Sequence, residues 1–306
     1  MNELLRILPE ELKAVFMKLP LHKVYEIRFR VAQPILVNVS GRKFFLSGDG
    51  LCEKKENALI LNREQIDGIL HTATNYSFYA VNEQIKQGFI TIAGGIRIGI
   101  TGEVVEEKGE VITLKNIQAL NVRIPHEIKN ASLAAVPYIF GENRPLKTLV
   151  IAPPGAGKTT FLRDIANQIS EHYAGLNVLI LDERGEIASV IDSKPALTVG
   201  DFADIISGGN KTFGFRCGLR SMSPDVIITD EIATQNDIDM IREAARSGVS
   251  VMASVHAGSL AELKEKPNFR DLILEKVFDR YVVLRIGDHA GVVDGVYDSN
   301  AHLMAK

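Results

Sequence analysis

Nine consecutive residues constrain this chain more than any others: Ala152-Pro153-Pro154-Gly155-Ala156-Gly157-Lys158-Thr159-Thr160. They follow an apolar run at 149–152 and open a segment whose Phe161, Leu162, Ile165, Ala166 and Ile169 recur at helical spacing. A glycine-rich loop between strand and helix lets backbone N–H groups wrap phosphate oxygens, and the helix N-terminus adds partial positive charge. Lys158 is placed to reach β- and γ-phosphates, and the Thr159 hydroxyl to ligate Mg²⁺. The strict pattern opens on glycine, and Ala152 stands at that position here.

The rest of the second half agrees with such a unit. Apolar strands are expected at 149–152, 178–181, 226–228, 249–255 and 281–286, separated by helices. One of those helices runs from Asn236, as N-cap, through Ile238, Ile241, Ala244 and Ala245 to Gly248. Strands alternating with helices imply a doubly wound, mostly parallel sheet, so 131–306 is expected to be a RecA-like P-loop domain. With 306 residues there is room for a second domain. Residues 1–130 read as mixed α+β. An amphipathic helix broken near Pro9 comes first, then strands of period two between 24 and 46. Helices follow near Asn62 and Asn75, then strands at 88–105, a hairpin into 111–114, and a short strand around Arg123. Pro125, Pro137, Gly141 and Pro145 mark the expected linker.

A phosphate loop needs acidic partners before hydrolysis is possible. Asp225-Val-Ile-Ile-Thr-Asp230-Glu231 is an apolar strand ending in two carboxylates at the sheet edge where such folds bind ligands. Asp230 is expected to hold Mg²⁺, and Glu231 to take the proton of the attacking water. A second cluster, Asp182-Glu183-Arg184-Gly185-Glu186, ends another strand. Asp182 is a further metal candidate, Glu183 and Glu186 are reserve bases, and Arg184 could pair with these acids locally. His256 ends the strand at 249–255 and is a candidate to sense the γ-phosphate. No arginine in the loop itself can neutralise the transferred phosphoryl group. Arg97 and Arg123, on outer strand faces of the first domain, are the candidates to act in trans, with Arg220 in reserve as a nucleotide contact.

Composition narrows the partners. Lys+Arg total 35 against 38 for Asp+Glu, which argues against one large basic face for nucleic acid or anionic lipid, though not against a local basic site. The stretch 207–223 does carry Lys211, Arg216 and Arg220 without an acid, so a RecA-like nucleic-acid-dependent ATPase is one alternative. With no Trp and only seven Tyr, base-stacking platforms are few, and no nucleic acid is expected. A nucleotide-binding scaffold without turnover is the other alternative, and Glu231 argues against it. The two cysteines, Cys52 and Cys217, match no metal spacing and fit a reducing compartment. The start, Met-Asn-Glu-Leu-Leu-Arg, has an acid where a secretory signal carries positive charge, and no apolar run approaches about 18 residues. A cytoplasmic location is expected.

Taken together, the segments between 150 and 260 resemble the secretion-superfamily ATPases, the hexameric motors of type II and type IV secretion and of type IV pili. The cluster at 182–186 is similar to their Asp box, and the strand before His256 to their His box. Within the superfamily the resemblance narrows to a sporulation branch. It rests on 182–187, on 220–232, and in the first domain on 88–102 and 121–127. Ala233 and Ile96 depart from that pattern, which has Gly and His there. The resemblance implies a homohexameric ring that uses ATP and Mg²⁺. It would energise membrane components of a secretion-like channel between mother cell and forespore, from the mother-cell cytoplasm or peripherally at the membrane through a partner.

Overall fold

The computed structural model describes all residues except Met1, Tyr79, Ala80, His126, Glu127 and Asp192, and of Asn2 and Ile191 the backbone alone. His126 and Glu127, at the end of the resembling segment 121–127, thus lie outside the described residues. Two compact units emerge, Met1–His126 and Glu127–Lys306, divided a few residues ahead of the expected boundary.

In the first unit, α1 (Asn2–Ile7) and α2 (Glu10–Phe16) meet at Pro9, which lacks the N–H a continuing helix needs. Leu4, Ile7, Leu12, Val15 and Phe16 are buried in the unit's own core. Next come β1 (Val24–Arg30), β2 (Leu36–Val39), β3 (Arg42–Ser47) and β4 (Gly50–Cys52). Asn62 starts α3 (Arg63–Ala73) with a capping box: its side chain accepts from Gln65 N, and the Gln65 side chain accepts from Asn62 N. The second helix begins later than expected, as α4 (Asn82–Lys86), because Asn75 and Tyr76 take φ of +49° and +58°. The unit closes with β5 (Phe89–Ile92), β6 (Ile96–Glu107) and β7 (Glu110–Arg123). Residues 111–114 and the strand around Arg123 are therefore one strand, where two were expected. The seven strands form one sheet, β4-β3-β2-β1-β7-β6-β5, with antiparallel neighbours. Ile27, Phe29, Ile98, Ile100, Leu120 and Val122 face the core. The alternation puts Arg97, Arg123 and Glu26 on the opposite face, with Arg97 paired to Arg123 and Arg123 to Glu26.

The second unit opens with α5 (Val136–Ile139), β8 (Thr148–Ala152), α6 (Lys158–His172) and β9 (Val178–Asp182). The hairpin β10 (Val190–Ile191) and β11 (Lys194–Pro195) precedes β12 (Ala203–Ser207), α7 (Lys211–Cys217) and β13 (Val226–Thr229). Then follow α8 (Gln235–Arg246), β14 (Ser250–His256), α9 (Leu260–Glu265), α10 (Pro267–Leu274), β15 (Arg280–Arg285), β16 (Val292–Asp298) and β17 (Leu303–Ala305). All five expected strands are present. The sheet order is β12-β9-β13-β14-β8-β15-β16-β17. Pairing is parallel from β12 to β15 and antiparallel beyond it. Leu149 and Ile151 join a core with Ile238 and Ile241 of α8, whereas Val150 and Ala152 join one with Phe161, Leu162 and Ile165 of α6. Helices thus cover both faces. Thr234, not Asn236, caps α8, because its side chain reaches Asp237 N. The proline-marked stretch is no free linker: Ala135, Val136 and Ile139 are buried in this unit, and Pro137 sits in the first turn of α5, where its missing N–H costs nothing. No helix among the described residues is long and apolar enough to cross a membrane.

Candidate active site

The phosphate loop links β8 to α6. Gly155 and Gly157 adopt φ of +81° and +90°. At Gly157 a Cβ would come within 2.5 Å of Ala290 Cβ and 2.7 Å of Gly291 N, so both conformation and space demand glycine. Gly291 N also donates to Ala156 O at 2.9 Å, which braces the loop from the β15–β16 turn. Pro153 O accepts from Ala156 N at 3.3 Å. Ala152 is fully buried at the end of β8, and its carbonyl accepts from Ala257 N at 3.3 Å. The methyl group that replaces the pattern's first glycine is therefore accommodated in the core.

Lys158, the first residue of α6, is only 7% exposed. Burial pulls its ammonium below the ordinary lysine range, while the charges of Asp230, Glu231 and Glu186 oppose that shift. Nζ stands 2.9 Å from His256 Nδ1 and 3.5 Å from Pro153 O. An ammonium can only donate, so Nδ1 accepts and the ring hydrogen sits on Nε2, which faces Glu231 Oε1 at 3.4 Å. Next along the helix, Thr159 Oγ1 donates to Asp230 Oδ2 at 2.7 Å. Asp230 Oδ1 accepts from Ser254 Oγ at 2.5 Å and from Glu231 N at 2.8 Å.

Glu231 follows β13 with φ of +40°, a left-handed conformation uncommon outside glycine. Its N–H also donates to Ser254 Oγ at 3.0 Å, and its carbonyl accepts from Lys211 Nζ at 2.6 Å. Arg184 Nη1 donates to Glu231 Oε2 at 2.8 Å. Lys211 lies 3.3 Å from Glu183 Oε2 as well. Asp182, Glu183, Arg184, Glu186, Lys211, Asp230 and Glu231 together line one small cleft.

Two expectations need correction. Asp182 is 1% exposed, and both its oxygens are taken by backbone N–H groups. Oδ1 accepts from Glu186 and Ile187 at 2.8 and 3.0 Å, and Oδ2 from Ala188 and Ser189 at 2.9 and 3.2 Å. It organises the loop after β9 and has no oxygen left for a metal. Arg163 secures the same loop by donating to Ile187 O at 2.6 Å and Glu186 O at 2.5 Å. Arg220 is exposed on the π-helical turn Gly218–Met222, just before β13 begins. It thus precedes the N-terminal end of β13, whereas the phosphate loop follows the C-terminal end of β8 in the same parallel array.

The structure brings together Lys158, Thr159, Asp230, Glu231 and His256, all read from sequence. Arg97 and Arg123 belong to the first unit; Arg97 stacks its guanidinium 3.7 Å over the Phe89 ring, and Arg123 Nε lies 3.7 Å from Glu26 Oε2. Sequence reasoning missed Ser254, the inward turn of Lys211, the reach of Arg184 to Glu231, and the brace at Ala290-Gly291. Only Lys211 left a signal: a lysine opening a helix after two glycines and an asparagine cap.

The family model for "Sporulation stage III, protein AA" matches residues 1–304. The chain belongs to that family. Stage III sporulation protein AA of Bacillus subtilis (strain 168) is 35% identical over 312 aligned positions, covering 100% of this chain and 98% of the relative. Among solved structures, the Legionella pneumophila ATPase DotB superposes with a TM-score of 0.63 at 16% identity, covering 96% of this chain and 82% of DotB. The pilus retraction motor PilT with bound ADP superposes with a TM-score of 0.58 at 14% identity, covering 90% and 76%. These likenesses establish the P-loop ATPase fold with its preceding domain. The chain is thus a stage III sporulation protein AA family member with the fold shared by DotB and PilT.

Proposed function

We propose that the chain binds Mg-ATP on the 152–160 loop and hydrolyses it with Glu231 as general base. The observation that carries this reading is the 2.7 Å contact between Thr159 Oγ1 and Asp230 Oδ2 beside the phosphate loop. A hydroxyl and a carboxylate oxygen side by side are hard donors that fit Mg²⁺. When bound, the cation would offset charge on the β- and γ-phosphate oxygens. Backbone N–H groups of 155–160 cradle the phosphates, and Lys158 turns from His256 to the β- and γ-oxygens. His256 then contacts the γ end, while Glu231 accepts the proton of the attacking water. Glu183 and Glu186 line the same cleft as Glu231 and are kept as reserve bases.

In fold terms the second unit is read as a RecA-like, doubly wound domain, supported by helices on both faces of its parallel strands. Arg97 and Arg123 are read as the arginines supplied to a neighbouring subunit, which makes the working form a homohexameric ring. The ring would act from the mother-cell cytoplasm on membrane components of a secretion-like channel. The nucleic-acid alternative loses support, because Lys211 turns into the cleft and leaves only Arg216 and Arg220 exposed.

Titration calorimetry tests the binding step. The parent should take up Mg-ATP, and Lys158→Ala should lose at least about tenfold in affinity, since a charged hydrogen bond contributes roughly 1.5–3 kcal/mol. Unchanged affinity would reject the site.

A further inference from the structure

Lys211 is placed where a lysine is poorly tolerated. It is the first residue of α7, so its charge sits at the positive end of the helix dipole. Only about a tenth of its side chain is exposed. Gly208 and Gly209, with φ of +73° and +74°, turn the chain from β12 toward the cleft, and Asn210 caps α7 through Thr212 N at 2.7 Å. The ammonium is compensated by Glu231 O at 2.6 Å and Glu183 Oε2 at 3.3 Å.

The first of these partners is the informative one. A glutamate at φ of +40° relaxes unless its surroundings hold it. On the amide side, Asp230 Oδ1 and Ser254 Oγ hold Glu231 N. On the carbonyl side, Lys211 is the donor among the described contacts. The N–H of the same peptide, on Ile232, donates to Ser254 O at 2.8 Å. Without Lys211 the peptide after Glu231 therefore keeps one anchor of two, and its carbonyl end loosens, which shifts the carboxylate.

We propose that Lys211 is a positioning residue for the general base. It fixes the strained backbone of Glu231, and through Glu183 it ties that backbone to the loop after β9. The inference rests on reading Glu231 as the base. Lys211 acts through Glu231, whose carbonyl it holds.

The test uses the full chain with Lys211→Met, Lys211→Arg, Glu231→Gln and the double variant Lys211→Met/Glu231→Gln. Lys211→Met should keep ATP affinity within about threefold and lose about tenfold or more in kcat, because misplacing a catalytic group by an ångström costs rates of that order. Lys211→Arg, which retains a charged donor, should recover part of the loss. In the double variant Lys211→Met should add nothing to Glu231→Gln, as for groups that act as one unit. A readout without nucleotide accompanies these: amide exchange at Glu231 and Ile232 should quicken about tenfold in Lys211→Met, with the amides of β13 unchanged.

Parental kcat in Lys211→Met with an inactive Glu231→Gln would overturn this inference and leave the base assignment standing. An active Glu231→Gln would remove both. Additive losses in the double variant, or unfolding of both lysine variants, would make Lys211 an ordinary structural residue and overturn its positioning role.

Discussion

Lys158 donates its ammonium to His256, Nζ to Nδ1 at 2.9 Å, so the phosphate-binding lysine is held by the side chain that ends β14. The same imidazole turns Nε2 toward Glu231 at 3.4 Å. One ring therefore links the phosphate loop to the proposed base. His256→Ala should slow turnover more than it weakens ATP binding. Measured kcat and Kd separate the two; a larger effect on Kd would make His256 a structural group.

Burial of Lys158 has a pH signature. The fold disfavours its protonated form and lowers its pKa from the ordinary 10.5. The stability linked to this group is therefore present above pH 10.5 and lost as pH falls through the lowered folded value. Lys158→Met removes the charge, so the nucleotide-free variant should be more stable than the parent at neutral pH. That advantage should close as pH approaches the ordinary lysine range, as urea unfolding across pH would show. A gap independent of pH would contradict it.

Asp182 separates a loop organiser from a metal ligand. With both oxygens accepting backbone N–H groups, Asp182→Asn should cost about 2 kcal/mol of stability, the order expected for buried donors left unsatisfied. The Mg²⁺ concentration for half-maximal activity should not move. Thermal melts and a Mg²⁺ titration report the two quantities; parental stability with a shifted Mg²⁺ requirement would restore the metal role.

The path to the site was legible where chemistry and pattern lie close together in sequence. Strand, glycines, lysine and helix are contiguous at 149–169, and Asp230 and Glu231 end an apolar strand, so Lys158, Thr159, Asp230 and Glu231 could be read directly. Ser254, Lys211 and Arg184 could not. Their links to Asp230 and Glu231 span 24, 20 and 47 residues, and the order of parallel strands decides them. Asp182 shows the opposite error. Its type and its place at a strand end suggested a metal ligand, but backbone N–H groups four to seven residues onward claimed both oxygens first. In the first unit the Asn62 cap was readable, whereas the late start of α4 depended on left-handed turns at Asn75 and Tyr76.

Arg97 and Arg123 face away from their unit's core on paired strands. If they serve a neighbouring copy, Arg97→Ala and Arg123→Ala should each lose turnover by roughly 10³, the lower end for an arginine supplied in trans, while melting like the parent. Parental turnover should rise more steeply than linearly with protein concentration. Full activity in a strictly monomeric sample, checked by sedimentation, would contradict the ring.

Phosphate release from Glu231→Gln, measured alongside its Mg-ATP affinity, tests the central claim most directly. The substitution keeps the shape of the side chain and its place beside Arg184 and His256 but removes the proton acceptor. The expected result is ATP affinity near that of the parent with turnover reduced by about 10² or more, the usual contribution of a positioned general base. Turnover equal to that of the parent would contradict the account.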